Sequence, residues 1–499
     1  MAQSIQSRLD PSALLMRPPG RVIALAFGVA GAGLAALFVD VHWSAAVVGA
    51  PVILALSAAE SEPFLLLMIF LLPVGWFASV GIGMPGAGAQ FARFDLATAA
   101  RLLVVAGFFA GRLWRGQLGA RWLLEPFLTR GSLAIWAVAL ISVLFSATGL
   151  THGSTVASVW LASYLGFYFF VLAWVNSRVR LEKVLAVVLA STVVVGAFGV
   201  LQEILGGYTK FWLYLNQPPE DFAAWDNRVT SFLHYSTSLA GYLNLALPLA
   251  LACCVVGKGK WRKLGASALG LGFVALLCTQ SIGGLIAFGC VLMLAIFRLV
   301  SGWRRRLFLL VGFCVLVLGF YIVREVLNPA HAGQSVVGHD AAIRVLLWGV
   351  AWDLFVHSPI FGVGWGNFVE LYGPYLSSFS FIPPGVFAVH NLYLQFLTET
   401  GLIGFLTFSS LIFLATREAW RQMAAAGDSI DRALSFGVLG ALATVLVHGV
   451  VDFLFSVSPP FGTLFWTLLA LLVANGYIRS GRDIGRNSVR RPAQTVVAP

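Results

Sequence analysis

One histidine and three further polar side chains, Asn391, Gln395 and Glu399, stand close together in Val389-His390-Asn391-Leu392-Tyr393-Leu394-Gln395-Phe396-Leu397-Thr398-Glu399-Thr400-Gly401. Asn391, Gln395 and Glu399 recur every fourth residue, which predicts one polar stripe on an otherwise apolar helix. Polar groups inside an apolar span are expensive and usually face a cavity. His390 tops that stripe, where a neutral imidazole can take a proton from an incoming hydroxyl. The competing reading is an interfacial histidine reaching water beside a packing stripe.

A second constellation runs from His339 to Phe368. Asp340, Arg344, Trp348 and Trp352 follow one another at four-residue intervals, predicting an amphipathic helix on the membrane surface with Trp at headgroup level. A planar guanidinium at Arg344 suits a bidentate grip on phosphate; an Arg344–Asp340 pair along the helix is the plainer alternative. The Gly362-Val363-Gly364-Trp365-Gly366 run reads as a turn, since neither a strand nor a Lys-Ser/Thr accompanies it. Upstream, Asn227-Arg228-Val229-Thr230-Ser231-Phe232-Leu233-His234 sets another Arg and His beside Glu220, Asp221 and Asp226, where pairing with Asp226 is the alternative. Thr279-Gln280-Ser281-Ile282-Gly283-Gly284 reads as a polar turn whose small residues allow close helix packing. No phosphate-binding Lys-Ser/Thr loop, D-x-D, H-E-x-x-H or C-x-x-C occurs, which removes support for ATP-driven transport, metal-bound nucleotide sugars and zinc hydrolysis.

The elements that must hold these residues are membrane helices. Of 499 residues, 59% are hydrophobic and 11% charged, against about 45–50% and about 25% in soluble domains. With 16 Trp, 39 Phe and 52 Gly, the fold class is an all-α polytopic membrane protein of 12–14 helices, and a soluble enzyme or nucleic-acid binder is excluded. Spans need about 20 apolar residues. Candidates lie near 22–38, 46–59, 63–81, 96–113, 132–149, 156–175, 183–202, 236–256, 264–279, 281–300, 306–323, 391–415, 433–452 and 461–477. The five Cys all sit in apolar runs and read as inert.

Residues 1–21 carry Arg8, Arg17 and Arg21 without a cleavage-type pattern, so a cytoplasmic tail is expected there. With that start, the basic residues gather on cytoplasmic ends, as the positive-inside rule requires. The departures are Arg93, Arg101, Lys210, Arg228, Arg324 and Arg344, of which Arg101 lies in the fourth span and the others on the outer side. All eight His also fall at or near that side, so chemistry is expected there. The organisation read from this pattern is helices over 22–202, an outer loop 203–235, helices 236–323, a large outer loop 324–390, helices 391–477 and a basic tail 478–499.

Taken in order, these motifs resemble the O-antigen ligase and polymerase superfamily. The resemblance rests on His390-Asn391-Leu392 with Glu399-x-Gly401-x-x-Gly404, on Arg344 with Trp348, on His357-Ser358-Pro359-Ile360-x-Gly362-x-Gly364-x-Gly366-x-Phe368, and on Arg228. It covers roughly 200–416. It implies a glycosyltransferase of the bacterial inner membrane with its site facing the periplasm, under the large loop. The implied donor is an undecaprenyl-diphosphate-linked glycan, gripped by Arg228 and Arg344. His390 would assist attack by the acceptor hydroxyl with inversion, supported by Asn391, Gln395, Glu399, Asp340, Trp348 and His234, with no cofactor or metal. Lipid A core, another glycan and a protein hydroxyl compete as acceptors, so lipopolysaccharide ligation and exopolysaccharide or capsule polymerisation both stay open. Membrane lipids and an export assembly are the expected partners. Family members often carry an Arg in the turn that here reads Thr279–Gly284, so Lys210 or Arg324 would have to supply a third cation. A polysaccharide transporter is the rival from another class. The absence of repeats opposes it and Arg101 keeps it open.

Overall fold

The computed structural model describes residues 41–74, 79–80, 94–117, 126–206, 228–233, 235–327, 336–376, 388–455 and 458–481. The expected first span, the basic tails, Lys210, the acidic run at 220–226 and His234 lie outside them. The helices are α1 (Val41–Ala58), α2 (Glu62–Phe70), α3 (Leu96–Trp114), α4 (Phe127–Leu144), α5 (His152–Trp174), α6 (Arg178–Ile204), α7 (Ser236–Val256), α8 (Lys260–Cys278), α9 (Ile282–Leu299), α10 (Trp303–Leu327), α11 (Val336–His357), the short α12 (Phe368–Leu371) and α13 (Gly373–Leu376), then α14 (Leu392–Ala424), α15 (Ser429–His448) and α16 (Pro459–Arg479). A two-residue antiparallel pairing, Ser79–Val80 with Phe94–Asp95, precedes α3.

Among the described residues nine helices are long and apolar enough to cross a membrane: α3 to α8 and α14 to α16. Two shorter apolar stretches, Gly49–Ala58 and Ile282–Arg298, fall below that length. The candidate at 63–81 is helical only as far as Phe70, followed by a turn over 71–73 that includes Pro73, a residue that disrupts helix interiors. The helix expected over 391–415 runs to Ala424, because no proline or second break interrupts its register after the kink at Gly401.

Helix starts follow local chemistry. Thr151 and Ser154 form a capping box at α5. Ser281 caps α9 through the Gly284 amide, at 3.2 Å, and Asp428 caps α15 through Ile430 and Asp431. Inside a bilayer, association relies on close backbone approach. Gly437 and Gly440 of α15 meet Leu249 and Pro248 of α7, and Gly196 of α6 meets Leu271 and Gly272 of α8; a Cβ at any of the three would collide. α7 and α16 are buried almost throughout, while Leu144, Ile204, Phe308 and Phe413 point outward from the bundle.

One end of the bundle collects the basic side chains and ties them down. Glu60 pairs with Arg112 at 2.9 Å and Arg115 at 2.6 Å. Burial pushes the Glu60 carboxyl up, but these arginines outweigh it and hold it below the usual range. Arg178 bonds Asp428 and Asp431, and Arg479 also pairs with Asp431. The histidine-bearing start of α14 lies at the opposite end.

Candidate active site

Asn391 caps α14. Its side-chain oxygen accepts from the Tyr393 and Leu394 amides, each at 3.0 Å, and its side-chain nitrogen donates to the Val450 carbonyl at 3.0 Å. The Leu392 amide donates to Gly449 O at 2.7 Å, and Gln395 Oε1 accepts from the Val389 amide at 3.0 Å. These bonds stitch the start of α14 to the loop after α15. His390, between them, adopts φ 52°, a left-handed conformation that a non-glycine residue rarely takes. Such strain, of order 1–3 kcal/mol, persists only where the surroundings over-determine it, and it clusters at functional sites.

The stitching delivers His390 to a carboxylate. His390 Nδ1 lies 3.2 Å from Asp452 Oδ1, and Asp452 is 4% exposed whereas the imidazole is 29% exposed. Asp452 Oδ1 also accepts from its neighbouring Phe453 amide at 2.8 Å. Burial pushes this carboxyl up. The His390 hydrogen bond and charge outweigh burial, helped by the charges of His448 and Arg344, and bring it to about 2. His448, fully buried one turn earlier, meets Asn244 of α7 at 3.3 Å. His448, Asp452 and Asn244 line a small cavity with Leu392 and Phe461.

Arg344 approaches this centre from α11, the helix that the four-residue spacing predicts. The apolar face of that helix, Ile343, Leu347, Val350, Ala351 and Leu354, packs with Val363, Phe368, Tyr372 and Val389, and half-buried Trp348 rests on the same cluster. Arg344 is half-buried and close enough to act electrostatically on Asp452 and His448. The helix includes Asp340, whose side chain is outside the described residues, so the alternative Arg344–Asp340 pair is not visible. His357 is exposed at the end of α11, and its Nδ1 lies 2.8 Å from the Asp353 carbonyl.

The polar stripe does something the periodicity did not foretell. Gln395 and Glu399 are each 1% exposed and turn to backbone rather than to a cavity, because the Gly-rich segment lies against them. Val363 and Gly364 amides donate to Thr398 O (2.8 Å) and Glu399 O (3.0 Å), and the Leu402 amide donates to Pro359 O (2.8 Å). Phe368 N donates to Glu399 Oε1 at 3.2 Å and Trp365 N to Ser142 Oγ at 3.0 Å. With these amides engaged, the run is a structural strap, as its reading as a turn implies. The strap requires Gly401 at φ 64°, where α14 breaks and where a Cβ would meet Ile360 O, and Gly362 at φ 74°. Asn367 fixes its far end, accepting from Thr151 Oγ1 at 2.6 Å and donating to Thr148 Oγ1 at 2.8 Å.

Arg228 lies just before a tight turn at Thr230 to Leu233, ahead of α7. Gln202 of α6 anchors that turn by accepting from the Thr230 and Ser231 amides at 2.9 and 3.0 Å. The structure thus brings His390, Asn391, Gln395, Glu399, Arg344 and Trp348 around one centre, with Arg228 on an anchored turn entering α7. Asp452 and Asn244 were not singled out in the sequence. A buried acid four residues after His448, at the mouth of a span, is the signal that could have found Asp452. Arg101, 2% exposed in α3, donates to Thr98 Oγ1 at 2.8 Å. Among the described residues no three His, Cys, Asp or Glu side chains gather to hold a metal ion.

A search of curated proteins returned no match to the chain. Residues 267–409, a segment that includes Arg344, the strap and His390, match the family model described as O-antigen ligase.

Proposed function

We propose that this protein transfers a glycan from undecaprenyl diphosphate to an acceptor hydroxyl at the periplasmic face of the bacterial inner membrane. The observation that carries the reading is the His390–Asp452 contact beside Arg344. Asp452 holds the Nδ1–H tautomer, leaving Nε2 free to accept a proton. The acceptor oxygen attacks the anomeric carbon as its proton passes to His390. The bond from that carbon to the diphosphate oxygen breaks, and its electron pair leaves with the diphosphate, inverting the centre. Arg344 and Arg228 hold the diphosphate and take up the charge that develops on it, an electrostatic role that needs no metal. Asn391 and Gln395 fix the histidine backbone, and Glu399 fixes the strap on which α11 packs. The gathering of arginines at the opposite end supports the assignment of His390 to the periplasmic side.

The decisive experiment reconstitutes the purified protein with an undecaprenyl-diphosphate oligosaccharide, with and without lipid A core, beside His390→Ala. Product on the core that disappears in the variant supports a ligase; longer lipid-linked chains without core support a polymerase. Wild-type transfer by His390→Ala would overturn the catalytic assignment. Donor movement between leaflets with no transfer, lost on changing Arg101 but not His390, would make the protein a transporter.

A further inference from the structure

The opposite end of α14 carries a second cavity. From Leu392 to Arg417 the helix climbs about 38 Å at 1.5 Å per residue, so this cavity is separate from the His390 centre. The start of α4, the last turns of α14 and the end of α16 enclose about 620 Å³. Arg417, Arg421 and Arg479 line it, with Glu418 as the lining carboxylate. Arg421 is bound to Glu418 at 2.9 and 2.7 Å, and Arg479 donates to Gln422 O at 3.0 Å and to Ala425 O. Arg417 is exposed, so the lining keeps a surplus of positive charge. Below the guanidiniums the wall turns apolar: Phe127, 70% exposed, and Leu414 face the same space. A phosphate would find two or three guanidiniums one turn apart, and a hydrocarbon chain would find the apolar wall beneath.

We infer that this cleft binds an anionic glycerophospholipid of the leaflet at the basic end of the bundle, its phosphate on Arg417 and Arg421 and an acyl chain along Phe127 and Leu414. The division of the lining into a cationic rim and an apolar wall favours an amphiphile over a free anion, and basic pockets between membrane helices suit anionic headgroups. A bound lipid would wedge between α4 and α16 and brace the helix that starts just after His390.

The test uses the full chain in nanodiscs of mixed phosphatidylglycerol and phosphatidylcholine, with retained lipid measured by native mass spectrometry. Wild type should retain phosphatidylglycerol above its bulk proportion, and Arg417→Gln should lower that enrichment about fivefold, as expected for one arginine at a headgroup. Arg417→Gln with Arg421→Gln should abolish it, while Arg262→Gln, at the same end but outside the cleft, should not change it. If the double variant does not fold, the single variant decides, since Arg417 is exposed. Inorganic phosphate should not displace the lipid. Bulk lipid proportions in wild type, equal enrichment in Arg417→Gln, or full displacement by inorganic phosphate would each overturn the proposal, the last in favour of a simple anion site.

Discussion

His390 Nδ1 and Asp452 Oδ1 lie 3.2 Å apart although 62 residues separate them in the chain. The start of α14 and the loop after α15 are bonded beside this contact, from the Asn391 side chain to Val450 O and from the Leu392 amide to Gly449 O, so the imidazole is oriented before any substrate arrives. A preset geometry of this kind contributes through tautomer and orientation rather than through proton transfer to the carboxylate.

Replacing Asp452 by Asn keeps the shape and removes the charge that favours an imidazolium. Turnover is expected to fall about 10²–10⁴-fold, with donor affinity unchanged. Single-turnover transfer beside donor binding would separate the two effects. An Asp452→Asn enzyme as fast as wild type would leave the dyad without a role.

Acid sensitivity provides an independent check on the same contact. Asp452 is held at about 2 against an ordinary 3.8. A carboxyl held low stabilises the fold above its unfolded value, and that stability is lost as pH falls toward its folded value. The difference in melting temperature between wild type and Asp452→Asn, present at about pH 5, should shrink as the pH falls below about 4. A difference that persists undiminished down to about pH 2 would mean that the Asp452 carboxylate does not stabilise the fold.

Arg344 should act on the donor rather than on proton transfer. Arg344→Ala is expected to weaken donor binding and slow transfer, and Arg344→Lys to recover only part of both, because an ammonium keeps the charge but loses the bidentate fork. Binding of a lipid-linked diphosphate to the three proteins, read by calorimetry, distinguishes this from a structural effect. Equal affinity in all three would remove Arg344 from the donor site.

Gly401 and Gly349 form a matched pair for the strap. Gly401→Ala places a Cβ against Ile360 O at a positive φ, and should cost more than about 1 kcal/mol of stability along with activity. At Gly349, in the regular part of α11, a Cβ meets nothing within 4 Å, so Gly349→Ala should be neutral or stabilising by up to about 1 kcal/mol. Thermal unfolding and transfer assays on both would test whether the break in α14 is needed for the site.

Local chemistry made much of this protein legible. Apolar runs long enough to span a bilayer identify the helices, because a buried backbone must satisfy its own hydrogen bonds within the segment. Four-residue spacing placed Arg344 on α11 and Gln395 and Glu399 on one side of α14, with Asn391 as the cap just before it, since helical periodicity depends only on residues a turn apart. Of the residues that carry the resemblance, His390 and Arg344 lie inside 267–409, the segment that matches the O-antigen ligase family model, and Arg228 lies before it. What the stripe faces was not legible: Gln395 and Glu399 hold backbone amides contributed by other segments, and only packing brings the strap to them. Asp452 and Asn244 escaped for the same reason. Their significance lies in contacts with His390 and His448 across helices, and no periodicity within one helix encodes which turn of a neighbour it will meet. Tertiary structure decided that histidine's partner, because the bonds that set it, from Leu392 to Gly449 and from Asn391 to Val450, exist only once α14 and α15 have packed.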